Sequence, residues 1–101
     1  MVWKVSGTMI DREGIQGHQL FLNNVIIRLM SGGDAEEESV QLYSLRENLL
    51  YEDRNLSATC INSAIYNLKL ALSDPENSNH LKLKAVGTLN KAIIHLPMVA
   101  I

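Results

Sequence analysis

The chain has one cysteine, Cys60, so it can form no disulfide within itself, and a reducing compartment is the straightforward reading. No apolar run approaches the roughly 18–20 residues that a membrane span needs. The opening, MVWKVSGTMID, lacks the apolar centre of a secretion signal. Together these absences lead us to expect a segment in a reducing compartment, without membrane contact. The three histidines, His18, His80 and His95, are scattered and show no metal-ligand spacing. There is no glycine-rich phosphate loop and no suggestive Ser/His/Asp set, so we expect neither catalysis nor a metal or cofactor. Internal repeats and low-complexity tracts are missing too.

What remains is a chain of 101 residues, 47% of them apolar, enough for one domain with a real core. Its charge is polarised. Residues 1–53 carry four basic and nine acidic side chains, giving −5. Residues 54–101 carry five basic and two acidic ones, giving +3. An anionic partner would prefer the second half.

Residues 2–10, VWKVSGTMI, favour a strand by composition. DREGIQG reads as a turn, and HQLFL as a returning strand, which makes an N-terminal hairpin. From Asn23 the period becomes helical, with an Asn as cap, and Ser31-Gly32-Gly33 ends that short helix. A second helix follows the acidic stretch DAEEES, with Leu42, Leu45, Leu49 and Leu50 as its stripe and Glu36 to Glu38 at its positive end. After the short turn EDRN comes NLSATCINSAIYNLKLALSD. Ser57 is its expected N-cap, and Ile61, Ile65, Leu68 and Leu72 form its apolar stripe. Thr59, Asn62, Ser63 and Tyr66 follow the same spacing offset by two residues, roughly 200° around the axis, and must point away from the core. Cys60 reads as a small buried apolar residue rather than a nucleophile. SDPENSN is a loop. Leu81-Lys82-Leu83-Lys84 alternates, Gly87 to Asn90 can bend, and Pro97 terminates, so residues 81–96 read as a second hairpin with its lysines on the open side.

Two helices joined by a short turn, the second with a hydrogen-bonding face, then a basic hairpin, resemble a winged helix-turn-helix. The residues resemble the OmpR-type DNA-binding domains, and among them the ToxR/CadC-like branch. Leu20-Phe21-Leu22 matches that family's step into its first helix, and Leu50-Tyr51 the apolar-aromatic pair ending its second. Cys60-Ile61, Asn62-Ser63, Ala64, Ile65, Tyr66-Asn67, Leu68-Lys69, Leu72 and Asp74 follow the pattern of its recognition helix without a gap. TLNKAI stands where the family carries a Gly-Tyr pair, and Lys69 where Arg is commoner. The resemblance implies an α+β fold over residues 1–101, with an N-terminal antiparallel sheet, three helices and a C-terminal wing. It also implies a bacterial transcription regulator acting in the cytoplasm, in this branch as the cytoplasmic part of a single-span membrane sensor.

Double-stranded DNA is the partner expected on that reading, bound as a homodimer or at tandem sites. Asn62 and Asn67 would read bases, since Asn pairs bidentately with adenine, with Ser63 and Tyr66 beside them. Ser57 and Thr59 would bond phosphate at the helix start. Lys69, Lys82, Lys84 and Lys91 would neutralise phosphates. The rival expectation is a winged-helix module that binds protein and not DNA, favoured by the acidic first half and the missing Gly-Tyr wing.

Overall fold

The computed structural model of the chain describes residues 8–98. Four α-helices account for most of them: α1 (Thr8–Met30), α2 (Ala35–Tyr51), α3 (Asn55–Ser73) and α4 (Ser78–His95), with a 3-10 turn at Pro75–Asn77. Among the described residues there is no strand. The expected α+β winged helix with a sheet and a wing is therefore corrected to an all-helical architecture.

Two segments carry the correction. The expected N-terminal hairpin and the short helix from Asn23 are one continuous helix, α1, from Thr8 onward; residues 2–7 of the expected first strand lie outside the described residues. Leu22, Val25, Ile26 and Leu29 are buried on one stripe of α1, and Ile15 packs against the same core. Helical spacing thus runs through the DREGIQG stretch. Gly14 and Gly17 sit on the outward side, where a glycine costs about 1 kcal/mol relative to alanine and does not stop a helix that tertiary packing supports. The second segment is the expected wing, residues 81–96. It is helix α4, because Ala85, Leu89, Ala92 and Leu96 are buried and Leu81 packs beside them, spacings of four, three and four. Gly87 to Asn90 continue the helix instead of bending it.

The connections are where local chemistry decides. α1 ends in a Schellman motif: Gly33 N–H donates to Arg28 O (2.7 Å), Gly32 N–H to Leu29 O (3.4 Å), and Gly32 takes φ +92°. Asp34 then caps α2, its Oδ1 accepting from Glu36 N–H at 3.2 Å, and Glu36 to Glu38 fill the first turn as expected. α2 ends in the same motif. Arg54 N–H donates to Leu49 O (2.8 Å) and Asp53 N–H to Leu50 O (3.1 Å), with Asp53 in the left-handed region at φ +60°. The residue before α3 is Arg54, so Ser57 is not the N-cap; it lies one turn inside and is buried.

Short connections make sequential helices antiparallel neighbours. α3 packs most extensively on α4 and next on α2, and α1 closes the arrangement against α4 and, more loosely, α2. Leu22, Leu42, Leu49, Ile61, Leu68 and Leu89 fill the centre. One end is bound by a polar network. The Arg54 guanidinium donates to Leu96 O (2.6 Å) and to Glu52 (2.8 Å), and Glu52 also meets His18 of α1 (3.1 Å). Ser57 Oγ donates to Ala92 O (2.9 Å), which the last turn of α4 leaves free because Leu96 N–H goes to Ile93 O. Along α1 and α2, Arg28 grips the buried carboxylate of Glu38 with two bonds (2.8 and 3.0 Å).

Candidate interaction surfaces

The outer face of α3 is as the helical spacing requires. Ile61, Ile65 and Leu68 are buried, while Thr59, Asn62, Ser63, Tyr66 and Lys69 are exposed. Leu72, expected in the stripe, is exposed near the helix end. The ten residues expected to contact DNA do not form one surface. Asn62 and Lys69, seven residues apart, share the flank facing α2. There Arg46 donates to Asn62 Oδ1 (2.5 Å) and stacks over the Tyr43 ring at 4.2 Å. The acceptor of Asn62, one of the two base-reading candidates, is thus already engaged within the molecule. Ser57 is buried on Ala92 O, and Asn67 is half-buried. Thr59 donates its hydroxyl to Asn55 O of its own helix (2.9 Å).

On α4 the lysines divide. Lys84 and Lys91 share a stripe on the flank toward α3, where the charge of Lys91 reaches Cys60. On α3 the Cys60 side, with Ser63 and half-buried Asn67, lies nearest that flank; Thr59 and Tyr66 are further round the helix. Lys82, about 200° from Lys84 around the axis, is half-buried on the opposite side. Cys60 itself is half-buried, and burial, outweighing Lys91, raises its thiol above the ordinary range, which keeps it protonated and unreactive.

A second surface, which the sequence reading did not single out, covers α1 and α4. Leu20 (63% exposed), Ile27 (60%) and Met30 (66%) run along the outer face of α1. Leu83 (58%) and Ile94 (67%) run along that of α4. All five are large and apolar. Between them lie Gln16, Asn23, Asn24, Gly87 and Asn90, all exposed and all uncharged. From Gly14 to Ile27, α1 carries no Asp, Glu, Lys or Arg at all. The signal was in the sequence: α1 has more large apolar residues, Leu20-Phe21-Leu22 and Val25-Ile26-Ile27, than one buried stripe can hold.

Between α1 and α2 an open cleft of about 300 Å³ is lined by Gly17, His18, Phe21, Gln41, Ser44, Leu45 and Asn48. Phe21 and Leu45 form its floor, and the lack of a side chain at Gly17 leaves it open. Its one titratable wall group, His18, is held by Glu52. Among the described residues no group of three or more His, Cys, Asp or Glu could hold a metal ion. Nor, among them, is any helix long and apolar enough to cross a membrane.

No family model matches the chain, and no curated protein or solved structure is significantly similar to it.

Proposed function

We propose that the chain is a helical-bundle interaction module that docks protein through the outer face of α1 and α4. One observation carries this reading: five large apolar side chains, each more than half exposed, on two packed helices with no charged group among them. Single exposed apolar residues need no explanation, but a contiguous uncharged set marks an interaction site. The partner that fits is another amphipathic helix or helix pair, whose apolar anchors would lie along the α1/α4 groove.

A second reading keeps DNA as the partner, without a wing. It rests on exposed Lys84 and Lys91 aligned on the flank of α4 toward α3, where Lys91 reaches Cys60, with the exposed hydroxyl and amide face of α3 beyond. Two aligned lysines give a salt slope of only about −2, too little for tight binding by one copy.

A titration followed by NMR amide shifts separates the two. One probe is a random-sequence 20-base-pair duplex; the other is a synthetic amphipathic helix with a Leu/Ile face. The expected result is that the peptide moves amides of residues 20–30 and 83–94, and that Ile94→Asp abolishes the effect. Duplex-induced, salt-dependent shifts at residues 59–66, with none from the peptide, would overturn the docking reading in favour of the second.

A further inference from the structure

We infer that the occupant of the α1/α4 face is a second copy of this chain, placed so that α1 of each copy lies antiparallel on α4 of the other. The inference rests on the docking role of that face and specifies its partner.

Charge is compatible with a second copy. In a two-fold contact only groups near the symmetry axis meet their own copies, so the centre of a self-associating face must be free of charge. This one is neutral: the groups between its apolar side chains are amides and a glycine. Amides are self-complementary, since each donates and accepts.

Charge also selects the orientation. The patch has two unlike rims. On the α2 side stand exposed Glu37 and the part-exposed Arg28 it acts on, with the buried Glu38 carboxylate held by Arg28, so this rim is net acidic by one charge. On the α3 side stand Lys84 and Lys91. Two face-to-face arrangements keep two-fold symmetry. An axis across the helices would set acidic rim on acidic rim and basic on basic. An axis along the helices sets the acidic rim of each copy over the basic rim of the other, twice. The second is the favourable one.

That orientation also aligns the shapes. The link from His18 through Glu52 and Arg54 to Leu96 O ties the His18 level of α1 to the end of α4. With the two helices antiparallel and each rising about 1.5 Å per residue, Leu20 falls toward the level of Ile94, Ile27 toward Gly87, and Met30 toward Leu83. An axis along the helices preserves level, so each pair meets across the interface. Ile27 of one copy then faces Gly87 of the other. Gly87 is exposed in mid-helix, and a Cβ built there would meet nothing within 4 Å. It leaves open space in the centre of the face, where a side chain from outside can approach the helix backbone.

The area sets the strength. The apolar side chains run about 15 Å along α1, from Leu20 to Met30, and the face is about 20 Å across two helices at ordinary spacing. With its protruding side chains this is roughly 600 Å² accessible per copy, which puts the pair near the lower limit for a specific interface. A reversible dimer with a micromolar dissociation constant is the expected result.

Sedimentation equilibrium from about 1 to 200 μM tests this on the full chain and three variants, with far-UV circular dichroism confirming their helicity. Wild type should be a monomer–dimer mixture. Ile27→Asp should weaken association at least 100-fold. Gly87→Leu, a helix-compatible change that fills the gap, should weaken it at least tenfold while leaving the monomer folded. Tyr66→Asp, on the far surface, should leave the dimer unchanged. A wild type that stays monomeric at 200 μM overturns the self-association, and so does a dimer that ignores Ile27→Asp and Gly87→Leu. If the apolar peptide still shifts α1 and α4 amides of that monomer, the docking role stands and only the identity of the occupant fails; if it does not, both fail.

Discussion

Arg54 does three jobs at one position. Its backbone N–H closes the Schellman motif of α2, its residue precedes α3, and its buried guanidinium reaches the last carbonyl of α4. A cation at a helix C-terminus is favourable, and here it also satisfies a carbonyl that has no partner within its helix. Arg54→Ala would leave Leu96 O without its partner and Glu52 without its cation, at a cost of about 2–4 kcal/mol. Urea titration measures this; a loss under about 1 kcal/mol would mean the network is ornamental. Glu52 gives a pH signature. Burial pushes its carboxyl up, but the hydrogen bond from Arg54, the bond from His18 and their charges outweigh it and hold it below the usual glutamate range. Its contribution is therefore complete above the unfolded value and is lost as pH falls through the folded one. Melting temperature should fall from about pH 5 downward, and Glu52→Gln should flatten that fall. An unaltered pH profile in the variant would rule out this carboxylate as a source. Asp53 bears backbone strain at φ +60°. Asp53→Gly removes the penalty on an L side chain and should stabilise by up to about 1 kcal/mol, read as a higher urea midpoint.

At the scale of the helix, the sequence was legible where one stripe faced the core and turn chemistry marked the ends. α2 and α3 show this: Leu42, Leu45 and Leu49, then Ile61, Ile65 and Leu68, repeat at helical spacing and are buried. Ser31-Gly32-Gly33 and EDRN are turns for the reasons their residues announce. α1 and α4 were misread because both have apolar residues on two sides. Leu81-Lys82-Leu83-Lys84 alternates as an edge strand would, yet only Leu81 joins the core while Leu83 stands exposed. The longer series Leu81, Ala85, Leu89, Ala92, Leu96 held the helical answer, obscured by Leu83 and Ile94 on the outer face. In α1 the two glycines simulated a turn. Gly17 is helical, with open space where a Cβ would go. Gly17→Ala should accordingly stabilise by about 0.5–1 kcal/mol, worth about 2–8 °C in melting temperature for a domain of this size. A glycine needed for a turn would give the opposite sign.

For the whole molecule, the resemblance to a winged helix depended on spacing shared by any two short-linked amphipathic helices, and α4 replaces the wing that would have distinguished the two folds. The candidate site was legible in part. The polar face of α3 is exposed as read, but Arg46 occupies Asn62, Ser57 serves α4, and the expected lysines point along three different flanks. The α1/α4 face was not visible because it exists only when α4 is a helix lying beside α1. The docking role of the α1/α4 face needs Leu83 and Ile94 on the outer face of that helix. Backbone NMR assignment of residues 78–96 measures this directly through Cα secondary shifts. Positive shifts without interruption from Leu81 to His95, including Gly87 to Asn90, are the expected result. Negative shifts over Leu81–Val86 and again over residues 91–95, with a turn between them, would restore the hairpin and contradict the account.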